Sequence, residues 1–283
     1  MEHSCLGPGQ RLCDGTLVGM VDLHHHLLPG LDDGSPDLPT SLEMARLAVA
    51  DGITHIVCTP HASSRYAFNP EAVLTRAEEL RVALEEANIK LQLGLGCDFH
   101  LSYDNIQDAV AHPSRYSING GEYLLIELPD YTLSPNLKET FYELRRAGLT
   151  PILTHPERNP VLQREPQRML PWLRDGLLTQ VTAGSITGNM GKSAQRIAER
   201  MLANRWVHFI ATDAHDPKRR PPQMRAAREI VSKRHGTLYA DLLCRDNPMA
   251  VFKGRSLGEQ EEGVELFDSK PFKERWYHRL FRA

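Results

Sequence analysis

Residues 20–34 read MVDLHHHLLPGLDDG, a short apolar run that passes directly into histidines and acids. Met20 to Leu23 have the character of a buried strand. Alternation along a strand puts Asp22, His24 and His26 on one face and His25 on the other. Two imidazoles on one face, two residues apart, make a metal-ligand pair. The same juxtaposition recurs along the chain. His61 follows the run 53–59 (ITHIVCT), Asp98 follows 90–95, and Glu127 lies at the end of 123–128 (YLLIEL). His155 follows 150–154, and Asp213 and His215 follow 206–212 (WVHFIAT). A seventh run, 178–183, carries no such group.

Helical patterns fill the intervals, at 41–51, 70–87, 136–147, 166–175, 192–204 and 221–234. Asn69-Pro70 reads as a helix cap with proline at the first helical position, and Gly52, Gly148 and Gly176 stand where helices stop. Alternating strands and helices imply consecutive βα units with a parallel sheet. Periodicity does not separate an open doubly wound sheet from a barrel, but the polar residues do. Groups from the ends of six strands converge only if the strands surround a common axis, so the expected fold is α/β, a seven-stranded (β/α) TIM-like barrel.

Composition narrows the function. With 33 Lys+Arg against 36 Asp+Glu, a net charge of −3 gives no support for a nucleic-acid surface. No apolar run approaches the ~20 residues of a membrane span. Residues 1–20 lack the unbroken apolar stretch of a secretion signal. Five cysteines without a C-x-x-C pair argue against a disulfide framework or a thiolate zinc site, and for a reduced, cytoplasmic protein. The nitrogen and oxygen donors at these strand ends, Asp22, His24, His26, His61, Asp98, Glu127, His155, Asp213 and His215, with Asp32 and Asp33 after the first, suit Zn, Mn or Fe. They are too many for one ion, and neighbouring ions are the usual device for phosphoryl transfer.

The sequence resembles the polymerase and histidinol phosphatase (PHP) superfamily in Met20-Val-Asp-Leu-His-His-His, Asp32-Asp33-Gly34, Thr-Pro-His61, Glu127, His155-Pro-Glu-Arg158 and Asp213-Ala-His215. Within it, His26-x-Leu-Pro-Gly-x-Asp-Asp-Gly34, Thr-His-Pro-Glu-Arg (154–158) and Arg220-Pro-Pro resemble the metal-dependent protein tyrosine phosphatases of bacterial capsule and exopolysaccharide loci. The resemblance covers about residues 20–253. It implies a PHP-type barrel with three divalent metal ions, Mn first and Fe or Zn as alternatives, hydrolysing phosphotyrosine by a metal-activated hydroxide. By position, one ion takes His24, His26, Asp98 and Asp213, a second Asp33, His61 and His215, and a third Glu127 and His155, with Asp98 bridging. Arg158 and Arg220 hold phosphate oxygens, and the catalytic set is His61, Arg158, Arg220 and Asp213. His61 and a metal-bound water both stay open as proton donor. The implied partner is a phosphotyrosine-bearing protein tail, a bacterial tyrosine kinase, with no nucleic acid. The main departure is Asp98, where the family has Glu. Residues 1–19 have no family counterpart and are expected to form a flexible extension, with Met20 an alternative start.

Other readings stay on the table. A histidinol-phosphate or sugar-phosphate phosphatase is the first alternative; a phosphodiesterase and a non-catalytic, metal-stabilised binding module follow. Cys5 and Arg11 satisfy C-x5-R, yet no strand precedes Cys5, and Gly191-Lys192-Ser193 lacks the first glycine of a P-loop at Ile186. His55, His112, His208 and His235 fall outside the strand-end pattern, and Cys58 and Cys97 are expected to point into the core. His100, Tyr66 and Phe68 are candidates to touch substrate. Residues 254–283 form an acidic linker and a basic, aromatic tail, with Phe272, Trp276 and Leu280 on one helical face.

Overall fold

The computed structural model describes residues 19–258, 260, 263 and 264. The strands are β1 (Met20–His25), β2 (Ile53–Cys58), β3 (His61–Ala62), β4 (Gln92–Leu95), β5 (Asp98–His100), β6 (Tyr123–Glu127), β7 (Thr150–Thr154), β8 (Leu178–Thr182) and β9 (Phe209–Ala211). The helices are α1 (Leu38–Asp51), α2 (Pro70–Glu86), α3 (Tyr103–Ala111), α4 (Leu137–Arg146), α5 (Pro160–Arg164) and α6 (Leu170–Arg174). They continue as α7 (Ala183–Thr187), α8 (Lys192–Ala203), α9 (Arg225–His235), α10 (Thr237–Asp241) and α11 (Asn247–Phe252). Every strand pairing is parallel. The order is β1-β2-β4 in one sheet and β3-β5-β6-β7-β8-β9 in a second.

The α/β class and the βα alternation match expectation, whereas one ring of seven strands does not. Two of the expected strands, 53–59 and 90–95, are each followed after a short break by a second strand that was not expected. Between β2 and β3 stands Thr59-Pro60, and proline has no N–H to give a ladder. Between β4 and β5 stands Gly96-Cys97. Single bonds carry the pairing across the breaks, Gly96 N to Cys58 O at 3.0 Å and Asp98 N to Pro60 O at 3.1 Å. At the other junction β1 meets the residues after β9: Asp213 N donates to His24 O and His26 N to Ala214 O, both at 2.9 Å.

Local chemistry explains most helix ends. The Asn69 side chain accepts from Glu71 N and Ala72 N, with Pro70 opening α2 as its sequence predicts. Asp37 caps α1, which Gly52 closes at φ 96°. The expected single helix 166–175 is instead a 3-10 turn (Pro166–Met169) followed by α6, because Pro171 withholds the N–H a continuous helix would use.

Two apolar layers position the site. Ile56, Leu124, Ile126, Leu153 and Ile210 turn outward into the core shared with the helices. Val21, Leu23, Val57, Leu125, Ile152 and Phe209 form a separate inner cluster with Val251 of α11. By alternation Leu125 shares its strand face with Glu127, so this inner cluster is an apolar floor below the strand ends. Among the described residues no helix is long and apolar enough to cross a membrane.

Candidate metal centre

The register of β1 against β2 is irregular between Asp22 and His25. Strict alternation therefore fails within the motif: Val21 and Leu23 belong to the floor, yet His24 and His26 both turn toward the strand ends. Asp22, expected beside them, is instead a structural acceptor. Its carboxylate takes Thr212 N at 2.9 Å, the Thr212 hydroxyl and His24 N at 3.3 Å, tying β1 to the end of β9. Burial raises its pKa to about 6, against those bonds.

The nine predicted donors converge. Four groups have ligand atoms all within 4.8 Å of one another: His26, Asp33, His61 and His215; His24, His26 and Asp213; His24, Asp98 and His155; and His61, Asp98 and Glu127. His24 Nε2 stands 3.4 Å from Asp98 Oδ2, 3.3 Å from Asp213 Oδ1 and 3.3 Å from His26 Nε2. His61 Nδ1 is 3.2 Å from Asp98 Oδ2, and Asp33 Oδ1 lies 3.3 Å from His61 Nε2 and 3.7 Å from His215 Nε2. His155 and Glu127 are 3.7 Å apart, but the groups pair each of them with Asp98 rather than with each other. His155 and Asp213 adopt positive φ, 33° and 52°. Such left-handed backbone costs about 1–3 kcal/mol and turns both side chains off their strand ends.

The field inside this cluster favours positive charge. Burial works against a charged His26, but Asp213 and Asp32 overcome it and hold the imidazole up at about 10. Burial and the neighbouring Asp98 push Glu127 up to about 8. Asp98 and Asp213 stay well below the usual carboxylate range despite burial, because His24 faces both. Burial, with Arg158 beside it, lowers His155 to about 3; burial, with His26 beside it, lowers His215 to about 2, so both imidazoles are neutral donors. Neither oxygen of buried Asp98 accepts a hydrogen bond. Unbonded carboxylate oxygens and neutral imidazoles facing one space are what divalent cations require, so the donor set fits such ions.

A supporting layer fixes these donors, and most of it carries no signal readable from the residues alone. Gln180 Oε1 in β8 accepts from His24 Nδ1 at 3.0 Å, which leaves Nε2 with its lone pair toward the cluster. Asp32 Oδ2 accepts from His26 Nδ1 at 2.6 Å and from His61 N at 3.0 Å, while Oδ1 accepts from Gly34 N at 2.9 Å. A Cβ on Gly34 would stand 2.4 Å from both Cβ and O of His26, so glycine is required there. Glu157, fully buried, accepts from Thr182 N at 3.0 Å and the Ser185 hydroxyl at 2.7 Å, pinning the turn that carries Arg158. The Arg158 and Arg220 guanidiniums both reach Asp213 Oδ2, whereas Oδ1 of the same carboxylate faces His24, His26 and His215.

Residues 20–253 match the family described as Capsular polysaccharide synthesis, CpsB/CapC. The chain belongs to that family. The tyrosine-protein phosphatase YwqE of Bacillus subtilis (strain 168) is 33% identical over 235 residues, 80% of this chain and 92% of the relative. The crystal structures of YwqE from Bacillus subtilis and CpsB from Streptococcus pneumoniae, described as unique metal-dependent tyrosine phosphatases, match with a TM-score of 0.80 and 30% identity, over 87% of this chain and all of the matched one. The phosphotriesterase homology protein from Escherichia coli, complexed with phosphate in its active site, matches with a TM-score of 0.52 over 83% of this chain and 99% of its own. At 11% identity that likeness bears on the fold alone.

The remaining sequence candidates divide clearly in this CpsB/CapC chain. His100 is half-buried opposite Glu127 in the β5–β6 register. Phe68 packs on Tyr116 at 5.2 Å and against the outer core, so it anchors its loop instead of facing the cluster. Tyr66 does face it, its ring stacked on His61. Cys58, Cys97 and Cys244 are buried free thiols, and burial raises all three. Gly191 at φ 88° merely precedes α8. His55 sits edge-on to Phe252, and His208 Nδ1 accepts from Thr179 N. The expectations on Cys5, Arg11 and all but Gly19 of the 1–19 extension lie outside the described residues, as do those on Phe272, Trp276 and Leu280.

Proposed function

We propose that this chain is a metal-dependent protein-tyrosine phosphatase. The single observation that carries the reading is the convergence of nine His, Asp and Glu donors beside two guanidiniums, in a chain of this family. The activity for which the relatives are named, tyrosine-protein phosphatase, supports the substrate class.

The ions are three divalent cations, manganese first with iron or zinc as alternatives. Asp98 enters two donor groups and fits a bridging role. His24, His26, Asp33, His61, Glu127, His155, Asp213 and His215 complete the set. Bound there, divalent ions supply Lewis acidity that makes a nucleophile available near neutral pH and offsets phosphoryl charge. Arg158 and Arg220 hold two phosphoryl oxygens, a task suited to the planar guanidinium fork. Asp213 couples both halves of the site, aligning the arginines through one oxygen and meeting His24 and His26 through the other. His61, partly open to solvent, stands where it can pass a proton to the departing phenolate. No thiolate takes part.

The two sheets act together as one TIM-like, PHP-type cup of seven βα units spanning residues 20–253, with the bonds of β1 to residues 213 and 214 as its seam. The protein partner is a phosphotyrosine-bearing tail, that of a bacterial tyrosine kinase, in line with the capsular family description. The site of action is the cytoplasm.

Turnover of a phosphotyrosine peptide, histidinol phosphate and a phosphodiester tests the reading. The peptide should give the highest kcat/KM, chelator should abolish turnover, and Mn²⁺ should restore it. Equal or better turnover of histidinol phosphate would sink the protein-phosphatase assignment.

A further inference from the structure

The loop after β3 carries two aromatic rings with different fates. Phe68 is absorbed by the outer core, whereas Tyr66 turns back over the donor cluster. The Tyr66 ring lies nearly parallel to the His61 imidazole, 15° apart with centroids 5.8 Å apart, and is only half-buried. Its placement is fixed. Ser63 N donates to Tyr66 O at 3.0 Å and Tyr66 N to the Ser63 hydroxyl at 3.3 Å, closing a tight turn. The exposed Arg65 guanidinium stands 5.1 Å from the ring centroid, a cation–π contact that helps hold the ring.

A phosphate ester of tyrosine and one of serine present the same phosphoryl group. They differ only beyond the bridging oxygen, outside the reach of the metal donors and of Arg158 and Arg220. Discrimination in binding must therefore come from a surface just outside the cluster, and a planar ring next to His61 supplies one. We propose that Tyr66, held by Arg65, is the residue by which this site prefers phosphate esters of aromatic alcohols, an assignment that rests on the phosphatase reading above. Its contact with the substrate ring is made in ground state and transition state alike, so it acts on KM and leaves kcat unchanged.

The test uses the Mn-loaded full chain and its Tyr66→Ala and Tyr66→Phe variants. Calorimetric titration compares phenylphosphonate with methylphosphonate, and the kinetics use a phosphotyrosine peptide. Tyr66→Ala should weaken phenylphosphonate about five- to tenfold, the size of one aromatic pair, and raise the peptide's KM by a similar factor. Methylphosphonate affinity, kcat and bound metal should stay within about twofold of wild type, and Tyr66→Phe should behave as wild type. An unchanged ratio of phenyl to methyl affinity in Tyr66→Ala overturns the assignment. So does a loss of bound metal, which would make the ring a support for His61. Failure of the wild type to turn over the peptide, with the affinity ratio still falling in the variant, would instead overturn the phosphatase reading.

Discussion

Asp32 has its side chain buried beneath the cluster, where one carboxylate orients the His26 ring, the His61 backbone and the turn at Gly34. The His26 bond holds it far below the usual carboxylate range although burial acts the other way. Supports of this kind are worth about 10–100-fold in metal affinity or activity. Asp32→Asn should therefore lower bound manganese and kcat/KM together by about that factor, with the circular dichroism spectrum unchanged. A variant with full metal content and activity would show that His26 needs no such partner. Eight of the nine converging donors were legible because each sits at the end of an apolar run, a signal that one strand's own residues carry. Asp33 was named only through the resemblance, since adjacent acids look alike until the turn at Gly34 is built. Gln180 was illegible for another reason: it is 156 positions from His24 and is defined only by the ring nitrogen it touches.

At the scale of elements, β8 and β9 are joined at their start by a histidine that must stay neutral. His208 Nδ1 accepts from Thr179 N at 3.1 Å, and burial lowers its pKa to about 4. In the unfolded chain the ring titrates near the model-peptide value of about 6.5. Above that value it is neutral in both states and costs nothing. As pH falls from about 6.5 toward 4, the unfolded state binds the proton first, so stability is lost across that window, by up to about 3 kcal/mol. His208→Gln keeps an acceptor for Thr179 but does not titrate. With chelated protein, its midpoint temperature should fall less between pH 7 and pH 5 than that of wild type; parallel curves would show that His208 contributes nothing. Long, capped elements such as α2 were readable from Asn69-Pro70 alone. Five-residue helices such as α5 and α7 have no periodicity to read, and the break at Gly96-Cys97, unlike that at Thr59-Pro60, has no proline to mark it.

For the whole molecule, the distribution of the donors matters more than their number. His24 belongs to the three-stranded sheet and His26 directly follows its β1, while His61, Asp98 and Glu127 belong to the six-stranded one. Ions held among them bind both sheets at once, and the unfolded chain offers no equivalent site. Binding to the folded state alone stabilises it by RT ln(1 + [L]/Kd), about 4 kcal/mol at a thousandfold excess over Kd. For a chain of this size each kcal/mol moves the midpoint by about 2–4 °C, so saturating manganese should raise it by about 8–16 °C over chelated protein. Asp213→Asn withdraws the carboxylate shared by His24, His26 and His215 and should remove more than half of that rise, even where the variant's own midpoint has shifted. A scanning calorimetry series over metal concentration checks this for both proteins. If the midpoint is the same with manganese, iron, zinc or chelator, the ions do not bridge the sheets, and a cluster this rich in buried acids must be neutralised by its own imidazolium groups.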